Sequence, residues 1–315
     1  MTSYVPETTR DLHLDLQCAD EGDVIADPSL FGKYPNSPSF NFLGKSQRWS
    51  YHDAPEDFPI RAIDEENRSK VVLLKNSGVL GFSFDVTDVS DIGVLDWFFG
   101  DHRTSFKSKS FVFGRKPGGT EFHRILSGCI PLESTLTISE SNVPLNLSGQ
   151  MLVTNPGSEV SGSPSIGAGS FASGIVDKPV LPSDGGMDSF SYDSVNYKEE
   201  AMRVTVRQIY SFSDIDEAKT IQHAIPVRRQ ISGFALLSKK QGADSILADV
   251  LNPTPKTMSR VLLEQKDTSN GYKLNFSDII FHQNTTNNNE LISSDVLKEY
   301  VFEASELAVD VILFS

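Results

Sequence analysis

The stretch RILSGCIPLESTLTISESNVPLNLSGQMLV, residues 124–153, alternates apolar and polar side chains with a period of two. That period is typical of β-strands that bury one face. The tripeptide ESN at 140–142 separates two apolar rows and predicts a turn between two strands. We therefore expect a hairpin whose rows face one core, with these members: Ile130, Leu132, Leu136, Ile138, Val143, Leu145, Leu147 and Met151.

A strand and a short helix are predicted just before this hairpin. Residues 80–86 alternate in the same way, and residues 90–100, SDIGVLDWFFG, carry apolar side chains at helical spacing. Ser90 is a suitable N-cap, and Gly100 is suited to end the helix. Two further alternating strands are expected between the helix and the hairpin.

The two halves of the chain resemble each other. One inserted residue places Gly81-Phe82 on Gly233-Phe234. Further along, a constant offset of 150 residues aligns apolar positions: Phe111 with Val261, Leu126 with Phe276, and Ile130 with Ile280. The shared order of strand, helix and hairpin predicts an internal duplication of a mainly β domain with one flanking helix.

The repeat suggests where the domains begin and end. We predict a first domain over residues 1–153, a Gly-, Ser- and Pro-rich linker or surface loop over 154–188, and a second domain over 189–315. Residues 20–68 show no periodicity and are predicted to form a long loop within the first domain. This loop is rich in aromatic residues, and an apolar loop usually lies against another surface.

Composition limits the classes of function. The net charge of -14 argues against a protein that grips nucleic acid, because phosphate contacts need clustered Lys and Arg. Cys18 and Cys129 are far apart in the sequence and predict two buried free thiols, without a disulfide framework or a zinc site. The N-terminus has no apolar signal region, and apolar runs are too short to span a bilayer, so we expect a soluble chain made in a cytoplasm.

Three patterns were tested for chemistry. The segment GAGSFA at 167–172 matches a dinucleotide-binding pattern, but no strand is predicted before it and no helix after it. Asp85, Asp88 and Asp91 are spaced by three, whereas an EF-hand loop needs oxygen ligands at alternate positions. The six histidines are scattered. We therefore predict no catalytic residue, no cofactor and no metal ligand, and we do not expect an enzyme.

The strand order and three short segments resemble a known family. Gly114-Arg115-Lys116, Leu126-Ser127-Gly128 and Leu136-Thr137-Ile138 are similar to segments of the major tail tube proteins of long-tailed bacteriophages and related archaeal viruses. The resemblance covers residues 70–153 and 190–315. The second half departs from it, with Asp278 in place of Gly128 and an Asn-rich turn, NTTNNN, in place of SESN.

The resemblance implies a fold and an assembly. The fold is mainly β, with two duplicated tail-tube-type β-sandwich or barrel domains, each with a short flanking α-helix. Such domains form stacked rings of a hollow virion tail tube, through which the viral genome passes during ejection. Because the chain holds two domains, three chains would complete a pseudo-hexameric homotrimer ring, and the hairpin of residues 130–151 would form part of the tube wall.

The resemblance also implies partners and a location. The partners are further copies of the chain, viral DNA that passes without specific binding, and the tape-measure, tail-terminator and baseplate or tip proteins. No membrane is implied. The chain would lie in the virion tail after assembly in the host cytoplasm.

The aromatic stretch and the acidity acquire roles in such a tube. We predict contacts between stacked rings or subunits for five aromatic residues: Phe31, Phe40, Phe42, Trp49 and Tyr51. The alternative is that the stretch folds back over its own domain's core. A lumen lined with carboxylates would repel DNA phosphates, so a genome would slide through without being held.

Other functions stay open. A β-sandwich protein of the virion that binds a receptor or a carbohydrate would also use exposed aromatic residues. The inner tube of a contractile injection system would share the fold without passing DNA. An enzyme on a β scaffold is a further alternative, although no constellation of residues in the sequence favours it.

Overall fold

A computed structural model describes residues 12–34, 37–53, 58–60, 70–72, 77–87, 92–116, 122–139, 143–157, 160–161, 170–171, 180–182, 190–215, 221–238, 245–264, 267–286 and 297–313. The chain is mainly β, which confirms the predicted fold class. Strands of the first half are β1 (Leu12–Asp23), β2 (Ser39–Phe42), β3 (Lys45–Asp53), β4 (Phe58–Ile60), β5 (Lys70–Val72), β6 (Gly78–Asp85), β7 (Lys107–Lys116), β8 (Phe122–Ile138) and β9 (Asn146–Pro156).

The remaining elements follow in chain order. Three short strands come first: β10 (Val160–Ser161), β11 (Ser170–Phe171) and β12 (Val180–Pro182). Strands of the second half are β13 (Phe190–Tyr192), β14 (Val195–Ile215), β15 (Ile221–Ser238), β16 (Lys256–Glu264), β17 (Asp267–Thr286), β18 (Leu297–Ala304) and β19 (Glu306–Leu313). The helices are a 3-10 turn at Pro28–Leu30, α1 (Ile92–Phe99) and α2 (Ser245–Leu251).

The two halves share one antiparallel sheet. In the first half the pairing order is β3–β6–β9–β8, and in the second half it is β14–β15–β18–β17. The last residues of β8 pair with β14, from Glu133 opposite Arg207 to Ile138 opposite Met202. These pairings join both sets of four strands into one eight-stranded sheet.

One face of the eight-stranded sheet is the main core. In β6 every second residue is buried, as the alternation predicts, and Leu80, Phe82 and Phe84 point into this core. Leu95 and Phe98 of α1 cover them, and Phe82 and Phe98 have ring centroids 4.8 Å apart. Helix α1 ends at Phe99, and the Gly100 N–H donates to the Asp96 carbonyl, as the sequence predicts.

The second half repeats the backbone details of β8 in β17. Gly128 and Asp278, which are 150 residues apart, both have a positive φ, of 63° and 50°. The register of β8 against β9 shifts by one residue between Pro131 and Glu133. The register of β17 against β18 shifts at the corresponding place, between Phe281 and Gln283. The offset of 150 predicted from the sequence therefore holds for this strand.

For two other strands the predicted alignment is wrong. Phe111 pairs with Leu126 and Met258 pairs with Phe276, so Met258, not Val261, corresponds to Phe111. Similarly, Leu80 pairs with Met151 and Gly233 pairs with Phe302, so Gly233 corresponds to Leu80, and the alignment of Gly81 on Gly233 is one residue out. A slip of one residue exchanges the two faces of a strand, which is why the error matters.

The hairpin of residues 130–151 does not face a single core. Leu136, Ile138, Leu145, Leu147 and Met151 are buried in the main core, as predicted. The register shift before Glu133 turns the preceding residues to the other face. The prediction is therefore wrong for Ile130 and Leu132, which pack in a second cluster, and for Val143, which is 44% exposed. The predicted turn at 140–142 lies outside the described residues.

The second cluster is formed by both halves. Its first-half members include Val24, Phe31, Phe106, Ile130 and Leu152. Its second-half members are at the end of the β14–β15 hairpin that extends beyond Arg207, and they are Tyr210, Phe212, Ile221 and Ala224. The halves therefore interlock through apolar packing as well as through strand pairing.

Other predicted segments differ from expectation. The stretch 20–68 is not a long irregular loop, because it contains β2, β3 and β4. In the predicted linker, β10 pairs with β8, β11 with β2 and β12 with β16, so its described parts are attached to both halves. The first three residues of NTTNNN belong to β17. Ser90, Asp88, Asp91 and most of GAGSFA lie outside the described residues.

Two smaller observations complete the description. Cys18 and Cys129 are free and buried, which confirms the prediction for both thiols. Within the described part of the chain, neither helix has the length and apolar character needed to cross a membrane.

Candidate functional site: the polar face of the eight-stranded sheet

The face of the eight-stranded sheet opposite the main core is polar and accessible. Alternate residues of every strand point to this polar face, and most of those described are half-buried or exposed Ser, Thr, Asn, Gln or charged residues. Its charged members on strands β3, β6, β8, β14 and β18 are Arg48, Asp85, Glu133, Arg203, Arg207, Glu299 and Glu303.

Side-chain pairs cross the junction between the halves on this face. The hydroxyls of Thr135 and Thr205, which are directly opposite each other, are 3.0 Å apart. The Arg207 guanidinium donates to Glu133 Oε2 from Nε at 3.1 Å and from NH2 at 2.6 Å. Both partners are partly exposed, so this ion pair is worth about 1 kcal/mol or less. The pairs fix the register of β8 against β14 more than they stabilise the fold.

The charges of the polar face nearly cancel. Arg48, Arg203 and Arg207 stand against Asp85, Glu133, Glu299 and Glu303, so among these members carboxylates exceed arginines by one. Arg203 also lies over the Phe234 ring, with 5.4 Å from Cζ to the centroid. The excess of acidic residues in the whole chain is therefore not concentrated here, and this face does not offer the strongly carboxylate-lined surface that the net charge suggested.

Two strand edges limit the eight-stranded sheet. Strand β3 pairs with β6 along one edge, and the end of β17, residues 280–286, pairs with β18 along one edge. Within the described residues, neither stretch has a strand partner along its other edge. Such edges expose rows of backbone N–H and C=O groups that another strand can pair with.

The structure divides the five predicted contact aromatics. Phe31 and Phe40 are buried in their own chain, Phe31 in the second cluster and Phe40 beside Ala19 and Val112. For these two residues, the alternative of folding over the chain's own core applies. Phe42 and Trp49 are half-buried, and the Trp49 ring lies 4.3 Å from that of Phe113.

Tyr51 lies on β3, close to the outer limit of the sheet. Its hydroxyl donates to Asp53 Oδ1 at 2.7 Å, and the Arg124 guanidinium lies 4.5 Å from its ring centroid. Burial raises the pKa of Tyr51 well above its ordinary value, so the hydroxyl stays protonated. A contact role of these aromatic residues between chains stays a prediction.

The end of α1 connects the halves through polar contacts that the sequence did not indicate. The Phe99 and Gly100 carbonyls accept hydrogen bonds from Arg229 at 2.8 Å and Gln208 at 2.9 Å, both on the β14–β15 hairpin. His102 Nε2 lies 2.7 Å from the Trp97 carbonyl, and its Nδ1 lies 2.8 Å from the Tyr210 hydroxyl. Nε2 therefore carries the proton and Nδ1 accepts from Tyr210.

Burial of His102 predicts loss of stability in mild acid. Burial lowers the pKa of His102 from 6.5 to about 4, so its neutral form stabilises the fold above pH 6.5 and that contribution falls as the pH drops toward 4. Between pH 7 and pH 5 we expect His102 to cost the protein about 2 kcal/mol of unfolding free energy. Urea unfolding of the wild type and of His102→Gln at both pH values measures this. An equal loss in both proteins would contradict the assignment.

Comparisons with known proteins do not identify a family. No model of a known protein family matches the chain, and no curated protein matches it significantly.

Proposed function

We propose that the chain is a structural virion protein whose copies form stacked rings of a hollow tail tube. The observation that carries the proposal is the pairing of β8 with β14, which joins two sets of four strands into one sheet with a polar face. Recurrence of the pairing order in both halves is what two fused tube domains would have. The duplication belongs to the proposal.

A closed ring would use both edges of the sheet. A sheet that closes on itself has no free edge, whereas an open one exposes rows of backbone donors and acceptors. Three chains would place six four-stranded units around a lumen, which gives a homotrimer with pseudo-sixfold symmetry. The main core would then lie outside the wall, and the polar face would line the lumen.

A nearly neutral polar lining suits the passage of a genome. Phosphates bind tightly where Lys and Arg cluster, and here Arg207 is paired with Glu133 while Arg203 lies over Phe234. The lining would let DNA slide by offering little net attraction, without the strong repulsion of a carboxylate-lined surface. Tape-measure, tail-terminator and baseplate or tip proteins are the further partners that the proposal includes, and the virion tail is the location.

Negative-stain microscopy of the concentrated protein tests the proposal, together with mass photometry. We expect rings or tubes with a central hole, and masses at multiples of three chains of 34.7 kDa. A compact monomer at every concentration would overturn the proposal. A monomer that binds glycans would favour a carbohydrate-binding protein of the virion instead. Tubes that form but exclude DNA would favour the inner tube of an injection system.

A further inference from the structure

We infer that neighbouring copies join by the same strand pairing that joins the two halves inside one chain, so that β17 of one copy pairs with β3 of the next. This inference rests on the proposed function and deepens it. Inside the chain, residues 133–138 of β8 pair with residues 202–207 of β14. Each of these strands has a counterpart at one end of the same eight-stranded sheet.

The counterpart of β8 is β17, at an offset of 150 residues. Three backbone features fix this offset: the positive φ shared by Gly128 and Asp278, the two equivalent register shifts, and the positions of both strands beside β9 and β18. Thr135 therefore corresponds to Thr285, and the adjoining residues of β17 correspond to those of β8 that meet β14.

The counterpart of β14 is β3, at an offset of 153 residues. Tyr51 pairs with Leu80 in the first half, and Val204 pairs with Gly233 in the second. The loops that follow β3 and β14 agree in detail, because each contains a hairpin with the same three pairs at this offset: Phe58 with Val72, Pro59 with Val71 and Ile60 with Lys70, against Ser211 with Ile225, Phe212 with Ala224 and Ser213 with His223. Thr205 therefore corresponds to His52.

These two offsets give the register between copies. The internal pairs are Leu136 with Val204, Thr135 with Thr205 and Ser134 with Val206. They transfer to three pairs between neighbours: Thr286 with Tyr51, Thr285 with His52 and Asn284 with Asp53. The strands run antiparallel, as in the internal junction. Because β3 and the end of β17 lie at opposite ends of one sheet, the strand that completes either edge comes from a second copy.

The β4–β5 hairpin adds a second contact. Its counterpart, the end of the β14–β15 hairpin, covers the second cluster in the first half and buries Ile130 completely. Ile280, the counterpart of Ile130, is only half-buried in the single chain. The β4–β5 hairpin of the next copy would lie over Ile280 and cover it.

Cysteine cross-linking tests the register. The double variant His52→Cys with Thr285→Cys places two thiols opposite each other, because directly opposed Cβ atoms of an antiparallel pair are about 5 Å apart. We expect oxidised rings of this variant to give covalent dimers and trimers on a non-reducing gel. Asp53→Cys with Asn284→Cys is a second pair with the same expectation. Cys18 and Cys129 are buried and form no background.

A matched control separates register from proximity. Arg48→Cys with Thr285→Cys keeps a thiol on the same polar face of β3 but moves it roughly 13 Å along the strand. We expect at least tenfold less cross-linked product than with either opposed pair, and none with the single variants. Rings that form in the microscope but give equal yields for the opposed and control pairs would overturn the inference and leave the proposed function standing. A protein that forms no rings would overturn both.

Discussion

Replacing Glu21 by alanine is expected to lower the free energy of unfolding by about 4 kcal/mol at pH 7. Glu21 is 5% exposed. Its carboxylate accepts backbone N–H groups from Gly32 at 3.1 Å and Gly128 at 2.9 Å, and hydroxyls from Ser108 and Ser110. Alanine would leave both N–H groups without this acceptor and create a cavity between β1, β7 and β8.

A second variant, Glu21→Gln, separates hydrogen bonding from charge. Burial raises the pKa of Glu21 despite its four hydrogen bonds, so the neutral acid is favoured in the folded protein. With a raised folded pKa, this contribution to stability is complete below the ordinary pKa and falls as the pH rises through the raised value. Glutamine keeps the shape, but its amide group faces one backbone N–H that needs an acceptor.

Urea unfolding followed by circular dichroism measures both variants across a range of pH. We expect Glu21→Gln to lose about half as much stability as Glu21→Ala. The gap between wild type and Glu21→Gln should narrow as the pH rises. If Glu21→Ala unfolds at the wild-type urea concentration, the carboxylate does not organise this part of the first half.

The second large effect is expected at Gly128. Its φ of 63° favours glycine, and an added Cβ would overlap the Thr154 hydroxyl and come 3.2 Å from the Gly32 Cα. Gly128 also donates its N–H to Glu21, so any displacement disturbs that contact. We expect Gly128→Ala to lower the free energy of unfolding by about 3 kcal/mol, measured by thermal or urea unfolding.

Asp278 provides the matched control for Gly128. It occupies the corresponding place in β17 with a φ of 50°, and its side chain is exposed. Asp278→Gly should therefore relieve backbone strain without creating a clash and raise stability by about 1 kcal/mol. A Gly128→Ala variant as stable as the wild type would show that the surroundings of Thr154 and Gly32 yield easily, contrary to the close packing described.

Local periodicity predicted the parts of the fold that depend on neighbours in the sequence. The alternation in β6, the end of α1 at Gly100 and the burial of Leu136 and Leu147 followed directly from it. The error at Ile130 has a local cause, because one extra residue before Glu133 reverses the facing of everything before it. No residue type in IPLES marks that position as a register shift.

The junction between the halves was beyond reach of the sequence for a different reason. Pairing of Glu133 with Arg207 joins residues 74 apart, and alternation around Arg203 and Thr205 indicated only that one face of the strand is polar. Glu21 was missed because an acid in CADEGD looks like an ordinary surface residue. Its burial depends on Ser108 and Gly128, which the fold brings from two other strands.

The interlocking of the halves determines the order of events during synthesis. When residue 153 has left the ribosome, the edge of β8 lacks β14, and Ile130 and Phe106 lack the hairpin that covers them. That cover is complete only after residue 224 has emerged, about 4 to 14 seconds later at typical translation rates. During this interval the nascent first half exposes an unpaired strand edge, so chains made close together on one messenger compete to fill it by exchanging second halves.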